Sequence, residues 1–224
     1  MSPRRDYYTE TVTMPAPAEE LANALTHGLG LVLSIGAAIL LMLVAARSAD
    51  PWHLLGGGIY AGTMVAVYTA STLSHSFQQP VLRHTFRRLD QAVIYLFIAG
   101  SYTPFALVYL RGGGWWFLLA LVWGIALGGF FSKAFLGHRV DAVTTWLYVF
   151  LGWLPGIAAV PLMGVVPTPG LWWMLIGGLF YTVGIVFLKH DNRVPFFHAV
   201  WHVCVIAGSV CHFYAIFFYV IPTT

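Results

Sequence analysis

The chain is a succession of long apolar segments separated by short breaks rich in charged residues, proline or glycine. A helix needs about 20 apolar residues to span the hydrocarbon core of a bilayer, and the segments reach that length. The breaks read RSADP, QQPVLRHTFRR, RGGG, KAFLGHRVD, GVVPTPG and KHDNRVP. The pattern predicts an all-α polytopic membrane protein, a bundle of seven transmembrane helices at residues 24–46, 52–77, 88–110, 114–135, 142–162, 170–188 and 196–220.

Composition supports this class of protein. The 224 residues are 59% hydrophobic and only 8% charged, whereas soluble domains carry about a quarter charged residues. No stretch of the sequence reads as a soluble domain or a convincing repeat. We therefore expect a cytoplasmic N-terminal segment at residues 1–22 and one transmembrane domain at residues 23–224.

The charged residues predict the orientation of the bundle. The formal net charge is +3, but the basic residues are scattered over short loops, which favours a role in topology over binding of nucleic acid. A cytoplasmic N-terminus places nine Lys and Arg inside and only Arg47 and Arg111 outside. The positive-inside rule then predicts a cytoplasmic N-terminus and an outside C-terminus.

Three distant segments bring polar residues to one depth in this topology. The second span ends at the cytoplasmic side with His75, and the third begins there with Asp90. The seventh span starts at the same side with His198 and His202. Ionisable side chains inside a membrane are costly, so such a convergence predicts a functional site.

The histidine spacing predicts a metal site. His198 and His202 are four residues apart, on one face of a helix and one turn from each other. This spacing alone is weak, but His75 at the same depth adds a third nitrogen. Three protein ligands with an open fourth position are typical of catalytic zinc, so we predict zinc at His75, His198 and His202.

Asp90 and Ser71 are the candidate catalytic residues. Asp90 could hold or deprotonate a water on the metal, and Ser71 lies one helical turn before His75, where it could donate a hydrogen bond to the site. The alternative for Asp90 is an interfacial carboxylate paired with Arg87 or Arg88. The alternative for His75 is a histidine among lipid headgroups.

Two further features carry polar residues into apolar spans. The first span begins with a stripe of polar or small residues, which consists of Glu20, Asn23, Thr26, His27 and Gly30. This stripe either packs against neighbouring helices or closes the site and hydrogen-bonds its ligands. His212 lies about 21 Å along the helix axis from His198 and cannot share its metal. A hydrogen-bonded packing histidine is expected there, with a polar relay as the alternative.

The same residues carry a family resemblance. The segments EELANALTHGLG, STLSHSF, LDQAVIYLFIAGSYTPF and HAVWHVCVIAGSVCHFYAI resemble the hemolysin III family, the bacterial branch of the progestin and adipoQ receptor group. The likeness runs from about residue 19 to residue 220. The group is similar to the alkaline ceramidases in its S-x-x-x-H, Asp and H-x-x-x-H pattern, met here by Ser71, His75, Asp90, His198 and His202.

The resemblance implies seven helices with an inside N-terminus, zinc held by the three histidines, and a location in the bacterial inner membrane. It also implies a metal-dependent hydrolase that acts on lipid amide or ester bonds, with a membrane lipid as substrate or ligand. In that mechanism Asp90 acts as general base and later as acid. The family's older hemolysin label has no support in the residues.

Two other functions are alternatives. The main one is a receptor-like or membrane-homeostasis protein with a structural zinc, which an additional protein ligand would favour. The second, a retinal-type bundle, needs a buried lysine for a Schiff base. Both lysines, Lys133 and Lys189, are expected at span ends, so we expect no buried lysine.

Overall fold

The computed structural model describes residues 16–112, 114–136, 141–158 and 162–221. Within these residues there are seven α-helices of thirteen residues or more and no strand. In chain order they are α1 (Pro17–Ala45), α2 (Pro51–Ser76), α3 (Pro80–Tyr109), α4 (Trp116–Phe131), α5 (Asp141–Trp153), α6 (Thr168–His190) and α7 (Phe197–Tyr219). A π-helical turn, Ser132–Leu136, extends α4, and a 3₁₀ turn, Leu154–Ala158, extends α5.

Each predicted segment overlaps one of these helices, but several ends differ. Helix α1 begins at Pro17 and α3 at Pro80, seven and eight residues before the predicted starts. Proline fits the first helical turn because that position needs no N–H donor. Glu19 additionally accepts a hydrogen bond from the Ala16 N–H, 3.1 Å away, and caps α1. Charged residues occur in both initial segments, PAEELAN and PVLRHTFR, so hydropathy alone could not extend the predicted spans into them.

Five described helices are long and apolar enough to cross a bilayer: α1, α3, α4 with its π turn, α6 and α7. Helix α5 is too short on its own, since the α-helical part ends before Leu154 and Pro155. Helix α2 has sufficient length but many glycine, serine, threonine and tyrosine residues. Because neighbouring helices bury one long face of α2, that face needs no lipid-compatible side chains. The chain is an integral membrane protein.

Helix α3 forms the centre of the bundle. In its most apolar window 61% of the residues are buried, compared with 11% for α6, which faces outward over most of its length. Helix α3 packs chiefly against α2 and α4, and α6 packs against α7. Helix α7 in turn contacts α1, so the first and last helices are neighbours.

The structure corrects one expectation about the lysines. Lys133 lies at the end of a span as expected, in the π turn after α4, but it is only 6% exposed and has interaction partners. The expectation that no lysine is buried was therefore wrong. Lys189 lies in the last turn of α6, with its amine 4.0 Å from the centroid of the Trp146 ring.

Candidate metal centre

The three predicted ligand histidines meet at the end of the bundle where α1 begins, which we call the amino-terminal end. His75 comes from the last turn of α2, and His198 and His202 come from the first two turns of α7. One ring nitrogen of each lies within 4.8 Å of a ring nitrogen of the other two. The helical spacing and the shared depth thus bring together side chains from distant parts of the sequence.

Each histidine is held on its outer side through Nδ1. The His75 Nδ1 lies 2.9 Å from Glu20 Oε2, and the His198 Nδ1 lies 2.8 Å from Asp191 Oδ2. The His202 Nδ1 lies 3.0 Å from the Thr26 hydroxyl. Carboxylates accept hydrogen bonds, so Nδ1 of the first two rings carries the proton when the rings are neutral.

The Thr26 hydroxyl is compatible with the same tautomer for His202. It donates to the Ala22 carbonyl of its own helix, 2.8 Å away. With that bond made, its oxygen can accept a hydrogen bond from the His202 Nδ1–H. In this tautomer all three rings keep an Nε2 lone pair, and the buried Nε2 of His75 has no partner among the described residues.

Glu20 links the site to the start of α3. Besides His75, its carboxylate forms ion pairs with Arg83 and with Arg87, the latter at 3.2 Å. Arg83 and Glu20 are largely buried, with side chains 9% and 15% exposed. Glu20 thereby fixes the orientation of the His75 ring and neutralises buried positive charge. The polar stripe at the start of α1 was expected either to pack against neighbouring helices or to hydrogen-bond the candidate ligands. The contacts of Glu20 favour the second role.

The start of α7 is held in an unusual conformation. Phe196, the residue before α7, has φ +63°, a left-handed value that bulky residues rarely adopt. Its N–H donates a 2.8 Å hydrogen bond to Glu19 Oε1 of α1. This turn directs the chain so that Asp191 reaches back to His198. Helix α1 therefore supports both ligand-bearing helices, through Glu20 and Glu19.

Asp90 and Ser71 lie beside the three histidines but outside the group. Asp90 Oδ2 accepts a hydrogen bond from Ser74, 3.3 Å away, and Ser71 lies next to the same carboxyl group. The closest carboxylate partner of Arg87 is Glu20, and Arg87 also interacts electrostatically with Asp90. Asp90 is a partly buried carboxyl group that faces serine hydroxyls and His198.

A fourth histidine adjoins the group. His27 is 4% exposed and stacks on His202, with ring centroids 3.5 Å apart and an angle of 22° between the planes. Neither of its ring nitrogens has a hydrogen-bond partner among the described residues, and the same holds for Asn23 Oδ1. Buried polar atoms are normally paired. This concentration of unpaired atoms around the histidines is the pattern of a site that binds a ligand.

His212 lies away from the three histidines. Its Nε2 is 3.1 Å from the Met174 carbonyl of α6, and its ring meets the Tyr181 ring edge-on. Gly177 makes this approach possible, since a Cβ there would lie 2.3 Å from the His212 ring. The hydrogen-bonded packing role expected for His212 agrees with these contacts.

Sequence reasoning missed two side chains of the site. Asp191 lies in the KHDNRVP segment, which the pattern marks only as a break between spans, and Ser74 lies within STLSHSF, where Ser71 and His75 carry the prediction. An acidic residue shortly before a predicted ligand histidine could have indicated Asp191. Its seven-residue separation from His198 would place both on one face of a helix, but residues 191–196 form a turn, and that turn sets the contact.

The fold and the site together define an all-helical integral membrane protein with a cluster of buried histidines at one end of its bundle. Comparison with known proteins identifies the family. A model described as haemolysin-III related matches residues 16–213. The chain belongs to this family, and the resemblance found in its motifs is confirmed.

Individual relatives cover nearly the whole chain. Hemolysin-3 of Bacillus cereus is 41% identical over 205 residues, which are 92% of this chain and 93% of the relative. A hemolysin-3 homolog of Bacillus subtilis (strain 168) is 38% identical over 201 residues, 90% of this chain and 94% of the relative. The human monocyte to macrophage differentiation factor is 33% identical over 211 residues, 92% of this chain and 86% of the relative.

Proposed function

We propose that this protein is a zinc-dependent hydrolase of lipid amide or ester bonds. The observation that carries the proposal is the arrangement of His75, His198 and His202, whose Nδ1 atoms contact groups outside the cluster and whose ligand nitrogens lie within 4.8 Å of one another. Neutral imidazoles held by carboxylates are the usual zinc ligands, and the unpaired, buried His75 Nε2 fits such an ion. The donor set therefore suits zinc.

An open coordination position favours a hydrolase over a structural zinc site. Within the part of the chain that the structure describes, the metal-ligating group consists of the three histidines. Structural zinc normally has four protein ligands, whereas catalytic zinc has three. When bound, zinc supplies a Lewis acid that polarises a carbonyl oxygen and lowers the pKa of water.

The remaining steps fall to side chains of this protein. In our proposal, Asp90 takes a proton from the attacking water on a carboxylate oxygen and later returns it to the leaving group. Ser74 holds the Oδ2 of Asp90 by a hydrogen bond, and Ser71 lies beside the same carboxyl group. Glu20 and Asp191 keep His75 and His198 in the required tautomer and orientation.

We also propose a topology that gives the site access to membrane lipids. All seven helices would cross the bilayer in a bacterial inner membrane, with residues 1–22 in the cytoplasm and the C-terminus outside. The distribution of Lys and Arg supports this orientation. A lipid could then present its polar end to the histidines from the cytoplasmic leaflet.

The proposal is tested by measuring zinc content and hydrolysis in one set of purified variants. Metal analysis should find stoichiometric zinc in the wild type and in His212→Ala, and none in His75→Ala, His198→Ala or His202→Ala. Fatty-acid release from lipid amides and esters in nanodiscs should fall about 10²–10⁴-fold in Asp90→Asn, the usual contribution of a positioned acid–base group, with zinc retained. Asp50→Asn, the same change at the opposite end of the bundle, is the matched control.

Two results would contradict the proposal. Wild-type protein that binds no zinc would remove the metal from the mechanism. Equal fatty-acid release by wild type and Asp90→Asn would remove Asp90 from it.

A further inference from the structure

His27 of α1 is a buried polar side chain that the proposed mechanism leaves without a role. It is 4% exposed, and neither ring nitrogen has a hydrogen-bond partner among the described residues. A neutral imidazole carries one N–H donor and one lone pair. Because buried polar atoms are normally paired, an unused donor and an unused acceptor at this position indicate that a bound molecule supplies the missing partner.

Packing fixes the His27 ring without any hydrogen bond. Its face stacks on His202, with ring centroids 3.5 Å apart and 22° between the planes. The Tyr68 ring meets it at an angle of 76°, with centroids 5.2 Å apart. Tyr68 is itself held by the 2.8 Å hydrogen bond that it donates to the Ser209 hydroxyl. The His27 ring is therefore preorganised, and its nitrogens stay available to a ligand.

The stacking places His27 at the site but prevents it from being a fourth metal ligand. An imidazole ligates through a lone pair in the plane of its own ring, at about 2.0–2.1 Å from zinc. Two nearly parallel rings 3.5 Å apart cannot both direct such a lone pair at one ion. His27 accordingly lies outside the metal-ligating group of His75, His198 and His202 in the described part of the chain. Its N–H is thus available to a molecule bound at these ligands.

His27 and Asp90 reach the three histidines from different helices. Helices α1 and α3, which carry these two residues, both pack against α2. His27 is close enough to His75 and His198 to interact electrostatically with both, and Asp90 interacts in the same way with His198. One group can therefore contact the oxygen of a bound carbonyl while the other contacts the attacking water.

We propose that His27 is a catalytic residue that donates its ring N–H to the carbonyl oxygen of the amide or ester bond under attack. The inference rests on the proposed function, because it assumes a hydrolase. When the water oxygen bonds to the carbonyl carbon, the π electron pair of the C=O bond moves to the carbonyl oxygen, and Asp90 takes the proton that the water releases. His27 keeps its own proton and stabilises the new negative charge. A preorganised donor in a buried site is most effective at such a charge.

The inference predicts a specific effect for His27→Phe, which keeps a flat ring on His202 but has no N–H. Zinc content should stay at the wild-type level. Removal of one donor to an oxyanion usually lowers kcat about 10²–10³-fold. The KM should change little, because the bound substrate does not yet carry the charge. Fatty-acid release from lipid amides and esters in nanodiscs measures both constants.

A binding measurement gives a second readout that needs no turnover. In a phosphonate lipid, a tetrahedral phosphonate replaces the scissile carbonyl group and carries negative oxygens where the charge develops. Its Kd, measured by calorimetry on zinc-loaded protein, should rise in His27→Phe by about the factor by which kcat falls, since transition-state analogues depend on the same contacts. The matched control is His212→Phe, at the histidine that bonds to the Met174 carbonyl. It should leave Kd and kcat per bound zinc unchanged.

Two further variants separate hydrogen bonding from proton transfer. His27→Asn and His27→Gln carry an amide N–H near the positions of Nδ1 and Nε2, and an amide donates a hydrogen bond without giving up its proton. One of the two should restore kcat and phosphonate affinity several-fold relative to His27→Phe. If His27→Phe does not fold, His27→Leu takes its place in both measurements.

Three results would overturn the inference. Equal kcat and phosphonate affinity in wild type and His27→Phe would exclude the donor and leave the hydrolase intact. Loss of zinc in both His27→Phe and His27→Leu would make His27 a support of His202 instead. Asparagine and glutamine variants no better than His27→Phe would show that donation of a hydrogen bond is not its role.

The same measurements separate this inference from the proposed function. Wild-type protein without zinc contradicts the proposed function and the inference with it, and the metal analysis identifies that case. Phosphonate binding that depends on His27, in a zinc protein that releases no fatty acid, would support the donor while contradicting the hydrolase.

Discussion

Two groups of buried polar side chains lie inside the bundle, and they differ in how completely they are hydrogen-bonded. In the middle of the bundle, Tyr68 and Tyr181 place their hydroxyls 2.8 and 3.0 Å from Ser209 Oγ. Tyr60 donates to the Ser209 carbonyl, 3.3 Å away, and His212 to the Met174 carbonyl. At the amino-terminal end, by contrast, His27, Asn23 and His75 have buried polar atoms without a hydrogen-bond partner in the part of the chain that the structure describes.

This difference distinguishes a structural network from a site. A fully satisfied network stabilises helix packing and has no capacity left for a ligand. Unpaired buried atoms each cost about 1–3 kcal/mol, so their accumulation around three convergent histidines is best explained by groups that a ligand pairs. Substitutions at the amino-terminal end should therefore change metal binding, whereas substitutions in the middle of the bundle should change stability alone.

The largest effect is expected for Glu20→Ala. The change removes the carboxylate that forms ion pairs with Arg83 and Arg87 and that orients the His75 ring. Removal of one partner from a buried ion pair costs about 3 kcal/mol or more, so thermal unfolding in detergent should show a large loss of stability together with reduced zinc affinity. A variant as stable as wild type would show that Glu20 is not the organising residue of this end.

A smaller effect, confined to the metal, is expected for Asp191→Asn. Asparagine can still accept the hydrogen bond from His198 but no longer raises the basicity of the ring. Changes to such outer partners typically lower metal affinity about 10–100-fold. Competition with a fluorescent chelator measures this affinity, and an unchanged value would exclude Asp191 as a support of the ligand.

Ser209→Ala should lower stability without touching the metal. It leaves the hydroxyls of Tyr68 and Tyr181 unpaired, at a cost of about 1–2 kcal/mol. Adding Tyr68→Phe and Tyr181→Phe should recover part of the loss, because both sides of the bonds are then apolar. Zinc content should stay at the wild-type level in all of these variants. A lower zinc content would show that the Ser209 network also supports the metal site, so the two regions would not be independent.

The smallest effect is expected at Asp50, at the opposite end of the bundle and outside the spans. Its carboxylate accepts a 3.0 Å hydrogen bond from the Trp52 N–H and pairs with Arg111 at 2.7 Å. The Trp52 N–H, together with Arg111, lowers the pKa of Asp50 below its usual range. The stabilisation is therefore present at neutral pH and disappears as pH falls below about 4. Asp50→Asn should lower the Tm slightly at pH 7, and the difference should narrow in acid; a difference independent of pH would contradict this account.

The sequence predicted the helices well where apolarity determines them. Every predicted segment overlaps a helix, and the convergence of His75, His198 and His202 followed from topology and the four-residue spacing. Apolarity could not locate the first turns at Pro17 and Pro80. A helix can continue beyond the apolar segment that spans the membrane, so its first residue need not be apolar. It could not reveal Asp191 either, since that contact depends on the left-handed turn at Phe196.

The hydrogen bond from the Phe196 N–H to Glu19 Oε1 bears on the biogenesis of the protein. Chains emerge from the ribosome N-terminus first, so α1 and α2 are inserted long before α7. Until α7 arrives and docks on Glu19, His75 faces no other imidazole of the cluster. If the three histidines hold zinc as proposed, the ion can be bound only after the chain has been synthesised through α7, and products of premature termination should then lack bound metal.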